Sequence, residues 1–303
     1  MEAPLVVGVD GSEPSMRAVD WAVDEAALRG AELRLVYASL WGRYEGASLA
    51  GDLDKPSEEV LAQDIVEAAE RRAHGRRTGV KVTTDVQAEE PEYALVRESR
   101  TASAVVLGSR GRSGLIEALL GSVSVTVAGH AHCPVIVLRG GHEHRVRPGA
   151  RRIVLGIGEQ PAGTAAVRFA VEEARLHGVP LEAVRAWRCP ARDRVDPPVP
   201  AGEFSAELSR VLAQGAAPQL HERRAAEELA IALRGVPDDV ETHLRTAEGH
   251  ARGVLLDTSA DAGLLVVGAR RRDGHRFGLQ LGRVAHAVLH HSTCPVAVVP
   301  QQS

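Results

Sequence analysis

The chain has 303 residues, 44% of them hydrophobic and 25% charged, with a formal net charge of −4. That length suits two domains of about 150 residues better than one core. So mild an acidic balance excludes a partner held by bulk charge, whether nucleic acid or an anionic membrane surface.

An unbroken apolar run, Pro4–Val9 (PLVVGV), reads as a parallel strand buried on both faces. Asp10-Gly11-Ser12 then turns the chain, Ser12 or Ser15 caps a helix with Pro14 in its first turn, and Gly30 stops it. A second strand is expected at Glu32–Ala38. Ser39–Lys55 is a long polar insert, and a helix follows over Ser57–Arg77. Val80–Val86 alternates as a strand, Pro91 opens a helix to about Arg100, and Ala104–Leu107 is a fourth strand. A helix across Ser122–His130 and a last strand, Cys133–Leu138, complete the unit. Strands alternating with helices predict an α/β fold with a parallel, helix-covered sheet. Arg139–Arg151 is basic, contains glycine and has no apolar period, so residues 141–150 are expected to link two domains, 1–140 and 151–303.

The pattern then repeats. Arg152–Ile157 matches Leu5–Val9, Leu264–Arg270 matches Ala104–Arg110, and Thr293–Val299 matches His132–Leu138, at offsets of 148, 160 and 161 residues. The extra length of the second copy is assigned mainly to the proline-rich stretch from Trp187 to Phe204.

Chemistry concentrates in Val105–Val127. There an apolar strand runs into Gly108-x-x-Gly111, nine residues, and Gly121-Ser122-Val123-Ser124. Glycines at 108, 111 and 121 would let backbone approach phosphate without a side-chain clash. Ser122 is expected to cap the following helix, the N–H groups of Ser122, Val123 and Ser124 to face an anion, and the two serine hydroxyls to add donors. Arg110 and Arg112 would neutralise phosphate charge, or stand as solvated loop residues. Asp10, at the end of the first strand, is an acceptor for adenine or ribose, or a turn residue only. No GxxxxGK[ST] loop exists, since neither lysine follows a glycine loop.

Gly-x2-Gly-x9-Gly-Ser between an apolar strand and a helix, the downstream CPVIVL, and the opening VVGVDGSEPS together resemble the universal stress protein family. The resemblance covers both copies. It implies two tandem doubly wound domains, each a five-stranded parallel sheet in order 3-2-1-4-5, with ATP bound where the glycine motif is kept. In that order strands one and four are neighbours at a switch point, where ligands sit outside the C-terminal strand ends. By the match, Gly8, Val9 and Asp10 line the adenosine side and Ala38 borders the adenine. Leu107, Gly108, Ser109, Arg110, Gly111 and Arg112, with Gly121, Ser122, Val123 and Ser124, form the phosphate side. Mg²⁺ could accompany the ATP. The apolar last strands resemble those the family uses for assembly, which implies a homodimer or an intramolecular pseudo-dimer.

The second copy departs from the motif. VGVDGS becomes LGIGEQ, with Gly158 in place of Asp10; GSRGRSG becomes GARRRDG, with Arg271 in place of Gly111; and GSVS becomes Gly282-Arg283-Val284-Ala285. It is not expected to bind ATP in the family manner, although Arg270, Arg271, Arg272, His275 and Arg276 make a basic loop.

Three cysteines, Cys133, Cys189 and Cys294, form no paired framework and suit a reducing cytoplasm. Cys133 and Cys294 occupy equivalent positions and read as structural thiols. His286 and His290 lie one helical turn apart, yet no carboxylate or cysteine completes a metal site around them. The N-terminus has no basic segment followed by a long apolar one, and no run reaches the roughly 18 apolar residues of a spanning helix. With no nucleophile, positioned base or acidic metal cluster near the glycine loop, the reading is a nucleotide-dependent regulator with no catalytic residues. A slow ATP hydrolase and a purely structural dimerisation protein are the alternatives.

Overall fold

The computed structural model describes residues 3–40, 58–109, 120–139, 152–158, 165–189, 204–270 and 281–301; over 204–217 it describes backbone only. In chain order the first half contains β1 (Leu5–Gly8), α1 (Glu13–Arg29), β2 (Leu33–Ala38), α2 (Glu58–Arg76), β3 (Val82–Gln87), α3 (Pro91–Glu98), β4 (Ala104–Gly108), α4 (Ser122–His130) and β5 (Val135–Leu138). The second contains β6 (Ile153–Gly156), α5 (Ala165–His177), β7 (Leu181–Trp187), α6 (Phe204–Ala232), β8 (Thr242–Glu248), α7 (Ala251–Thr258), β9 (Leu264–Arg270), α8 (Arg283–His291) and β10 (Val296–Gln301).

Local chemistry sets these boundaries. Ser12 caps α1, its side chain accepting from the Ser15 N–H, and Gly30 ends it in the left-handed conformation at φ 65° with its N–H on the Ala26 carbonyl. The α5 helix is followed in the same way by Gly178, at φ 60°. β4 is buried along its whole length, as an apolar strand between helix layers must be.

Each half has the strand order 3-2-1-4-5, and within each half every pair is parallel. The halves are not separate sheets. β5 pairs antiparallel with β10, giving one ten-stranded sheet ordered β3-β2-β1-β4-β5-β10-β9-β6-β7-β8. At this seam Ile136 lies opposite Ala297, its own equivalent at the repeat offset of 161, so a pseudo-two-fold axis passes between them. The last strands therefore satisfy each other within the chain, and β3 and β8 form the edges.

One core cluster covers each face of this sheet, and each crosses the seam. The first joins α1, α2 and α5 through residues such as Val19, Val66, Ile136, Phe169 and Ala297. The second joins α3, α4, α7 and α8 through Leu95, Val127, Val137, Leu255, Leu289 and Val296. The added length of the second half falls between β7 and β8, where α6 has 29 residues against 19 in α2. The proline-rich stretch to which sequence assigned that length lies largely outside the described residues, as do the polar insert and the linker. No helix among the described residues is long and apolar enough to cross a membrane.

Candidate functional site

β1 and β4 are parallel neighbours, with Leu5 opposite Ala104 and Val7 opposite Val106. Their C-terminal ends therefore emerge side by side where the connections leave in opposite directions, the usual ligand position in such sheets. Gly8 and Leu107 touch there: a β-carbon at Gly8 would stand 2.7 Å from Leu107 Cδ2. Val9 continues the ladder, its N–H on the Val36 carbonyl at 2.9 Å, which places it beside β2 and the half-buried Ala38.

Gly108 has a packing role besides the one expected. A β-carbon at this position would lie 2.6 Å from Pro14 C, 2.7 Å from Pro14 O and 2.9 Å from Ser15 N. Its missing side chain admits the backbone of the first turn of α1, so helix packing already requires glycine before any phosphate is considered. This brings β4 against the Asp10–Ser15 turn. There Asp10 Oδ1 accepts from the Ser12 hydroxyl at 2.6 Å and from the Ser12 N–H at 3.0 Å. Ser15, itself buried, donates to the Ser12 carbonyl at 2.8 Å. Asp10 is thus a brace of the turn as well as a residue at the strand end.

The start of α4 is pinned over the same place. Gly121 donates its N–H to the Ser109 carbonyl at 2.9 Å, and the Ser109 N–H reaches the Leu138 carbonyl at 3.0 Å. The Ser124 hydroxyl donates to the Gly108 carbonyl at 2.8 Å in a buried position. Two sequence expectations are corrected here. The helix cap is Gly121, extended at φ −65° and ψ 146° with no side-chain bond, not Ser122. The Ser124 hydroxyl is committed to β4 rather than offered to a ligand. The Ser122 hydroxyl stands 3.5 Å from Glu92 Oε1. What this leaves for an anion is backbone: the first-turn N–H groups of Ser122, Val123 and Ser124 have no intrahelical acceptor, and the glycine cap supplies none. Arg110, Gly111 and Arg112 lie outside the described residues.

Sequence reasoning took Pro14 and Ser15 only as helix-start residues. The structure makes them the surface against which Gly108 closes. The available signal was the pairing of an obligatory glycine at one strand end with a Pro-Ser helix start at its neighbour's end.

The second half repeats this backbone with other side chains. Ile157 N–H bonds the Val184 carbonyl at 2.9 Å, as Val9 bonds Val36. Gly282 caps α8 at φ −61° and ψ 154°. Yet Gly158 stands for Asp10, Ala269 for Ser109, Arg283 for Ser122 and Ala285 for Ser124. The nearest atoms to a β-carbon at Gly268 would belong to the Gln301 side chain, its Nε2 at 2.7 Å. The remaining arginines of the basic loop lie outside the described residues.

The cysteines are buried and unpaired, as expected of packing thiols. Burial pushes the Cys133 thiol up to about 12 and also raises that of Cys294. His286 and His290 do come together on α8, with ring centroids 4.4 Å apart.

A profile of the universal stress protein family matches residues 2–139 and again 149–300. The chain is 32% identical over 311 residues to a universal stress protein of Mycobacterium tuberculosis, covering 98% of this chain and 97% of that one. It is 32% identical over 312 residues to one from Mycolicibacterium smegmatis, with the same coverage. Among solved structures, a universal stress protein from Archaeoglobus fulgidus matches with a TM-score of 0.59 at 19% identity, covering 98% of both chains, a likeness of fold. With the family profile met twice along its length and full-length relatives at 32% identity, this chain belongs to the universal stress protein family.

Proposed function

We propose that the first half binds an adenine nucleotide, ATP, at the mouth between β1 and β4, and that the chain acts as a nucleotide-dependent regulator in the stress response. The observation that carries the reading is the pinned start of α4. Its glycine cap and first-turn N–H groups are held beside the end of β4 by the Gly121–Ser109 and Ser124–Gly108 bonds. A helix start of this kind favours phosphate through its backbone donors and its positive dipole end.

The residues present fit such a ligand. Ser122, Val123 and Ser124 would hold phosphate oxygens through backbone N–H groups, joined by the Gly108–Arg112 segment. Gly8, Val9, Asp10 and Ala38 would take the adenosine side. Any Mg²⁺ would arrive with the triphosphate. The regulatory reading is favoured over hydrolysis because, among the described residues at this mouth, the Asp10 carboxylate is engaged by Ser12 and the Ser15 and Ser124 hydroxyls are bonded to backbone carbonyls. The second half lacks the Asp10 and Ser124 equivalents, so it binds no nucleotide in this manner. In this reading the chain is a monomer with internal pseudo-dimer symmetry in a reducing cytoplasm, which the β5–β10 pairing and the free, buried thiols support.

Native mass spectrometry of the full chain with ATP tests this. One nucleotide per chain is expected, falling in Asp10→Ala and Gly121→Val, with a monomeric mass and no phosphate release above background. Saturating ATP at a hundredfold over Kd should stabilise the fold by roughly 2.7 kcal/mol. Two nucleotides per chain, none, or turnover lost with Asp10 would overturn it.

A further inference from the structure

The repeat sets two helices in register on one face of the sheet. At the offset of 148, Glu25 of α1 corresponds to Glu173 of α5, and Arg29 corresponds to His177. The pseudo-two-fold axis brings these last turns face to face, so that residues far apart in sequence form one cluster between the halves. Glu25 is 2% exposed and Glu173 is fully buried.

The cluster has two sides. On one, Arg29 gathers three carboxylates: Nε donates to Glu25 Oε1 at 2.6 Å, Nη1 to Glu172 Oε1 at 2.9 Å, and Nη2 to Glu173 Oε1. Its guanidinium also lies 6.0 Å from the centre of the Phe169 ring. On the other side the remaining oxygens of both buried glutamates turn to the imidazole. His177 Nε2 stands 2.9 Å from Glu25 Oε2 and 3.7 Å from Glu173 Oε2. One carboxylate oxygen of each glutamate and a ring nitrogen of His177 lie within 4.8 Å of one another. Glu173 Oε2 is buried and has no hydrogen-bond partner among the described residues, a costly condition for a carboxylate oxygen.

Charge points the same way. With all three carboxyls ionised and the imidazole neutral, the forms a metal ion would take up, Glu25, Glu172 and Glu173 outnumber Arg29 by two negative charges. An arginine at both equivalent positions would have matched two carboxylates with two fixed cations. Histidine in the second copy replaces one cation with a neutral group that carries a lone pair. We infer that Glu25, Glu173 and His177 form a divalent-cation site between the two halves. It takes Zn²⁺ through Glu25 Oε2, Glu173 Oε2 and His177 Nε2, while Arg29 holds the opposite carboxylate oxygens.

Two carboxylates and an imidazole are a suitable zinc donor set, and tetrahedral bonds of about 2.0–2.2 Å put ligand atoms roughly 3.3 Å apart. The observed 2.9 and 3.7 Å bracket that spacing. Glu173 and His177, four residues apart, present their ligand atoms together from one helix, and Arg29 orients both carboxylates as an outer-shell partner. The competitor for the place is a proton. A metal ion takes the deprotonated carboxylates and the neutral imidazole, so zinc uptake displaces whatever protons these groups hold and weakens as the solution is acidified. None of this depends on nucleotide.

The test is calorimetric titration of the chelator-stripped, full-length protein with ZnCl₂, without ATP, followed by Co²⁺ absorption. One ion per chain is expected, with a rise in thermal midpoint and a visible cobalt band. Glu173→Gln removes the unpartnered charge without changing shape, and His177→Arg restores the first-half residue. Each should weaken uptake by more than the roughly 10–100-fold that loss of an outer-shell partner costs. The double variant His286→Gln, His290→Gln should bind as the wild type does. Should either site variant fail to fold by circular dichroism, the cobalt band and proton release of the wild-type chain still decide. No saturable uptake by the wild type, uptake unchanged in His177→Arg, or uptake lost in the His286/His290 variant would each overturn the site. So would stability that varies with pH but not with zinc, which would leave a proton as the occupant.

Discussion

The two halves reach the end of their fourth strand by nearly the same backbone and leave it with different chemistry. In the first, Gly108 admits the start of α1, Ser109 ties Gly121, and Ser124 reaches back to β4. In the second, Gly282 caps its helix in the same conformation, but alanines stand at 269 and 285 and the nearest neighbour of a Gly268 β-carbon would be the Gln301 side chain. The fold thus keeps the same cap geometry where the Ser124 hydroxyl that braces it has been replaced by Ala285. Backbone shape comes from strand order and helix packing, which both halves need. The brace that differs is the Ser124 hydroxyl on the Gly108 carbonyl, which Ala285 cannot supply, whereas the Gly121–Ser109 tie is backbone.

The largest test of that contrast is a β-carbon at each strand end. Gly108→Val should cost about 3 kcal/mol or more, since the clash is with backbone that cannot rotate away. Gly268→Val should cost less than about 1 kcal/mol, because the Gln301 amide swings aside. Urea denaturation of the two variants compares them, and equal losses would break the distinction.

Next comes the turn before α1. Ser12→Ala removes the helix cap and the hydroxyl on Asp10, and should cost roughly 0.5–2 kcal/mol in thermal denaturation. If Asp10 acts on the nucleotide only when braced, ATP affinity measured by calorimetry falls in the same variant. Smaller still, Ser124→Ala should lose about 1 kcal/mol, the net worth of one hydrogen bond. The reciprocal Ala285→Ser should leave the second half without nucleotide in a binding assay.

The smallest effect is an expected equality. The Cys133 thiol, held near 12, and the fully buried Cys294 should both resist iodoacetamide at pH 8 in the native chain and react only on unfolding. Rapid labelling of either one would show that its strand entrance opens.

Much of this was legible from local pattern. The α4 boundaries, Ser122–His130, are those the sequence suggests, as is the stop at Gly30. Periodicity and capping act within a few residues, so they can be read in order. What lay beyond the local pattern shares one cause: the Pro14 backbone that Gly108 admits is remote in sequence, and the partner of the Ser124 hydroxyl lies 16 residues back. The Glu25–His177 pair spans 152 positions, and only laying the two repeats over each other would have marked Glu25 against Glu173.

In the sequence by itself, hydrophobic period, turn chemistry and repetition establish that the unit is duplicated, that each copy is an alternating α/β layer with buried parallel strands, and that the polar residues of the first copy gather at the ends of its first and fourth strands. That these ends are neighbours is implied by the family resemblance alone and is shown by the β1–β4 pairing. The tertiary structure decided how the copies meet. The antiparallel β5–β10 seam merges two sheets into one because each last strand presents an open hydrogen-bonding edge that the other fills. Once that axis exists, it carries α1 and α5 together and creates a buried charge cluster that neither copy contains alone.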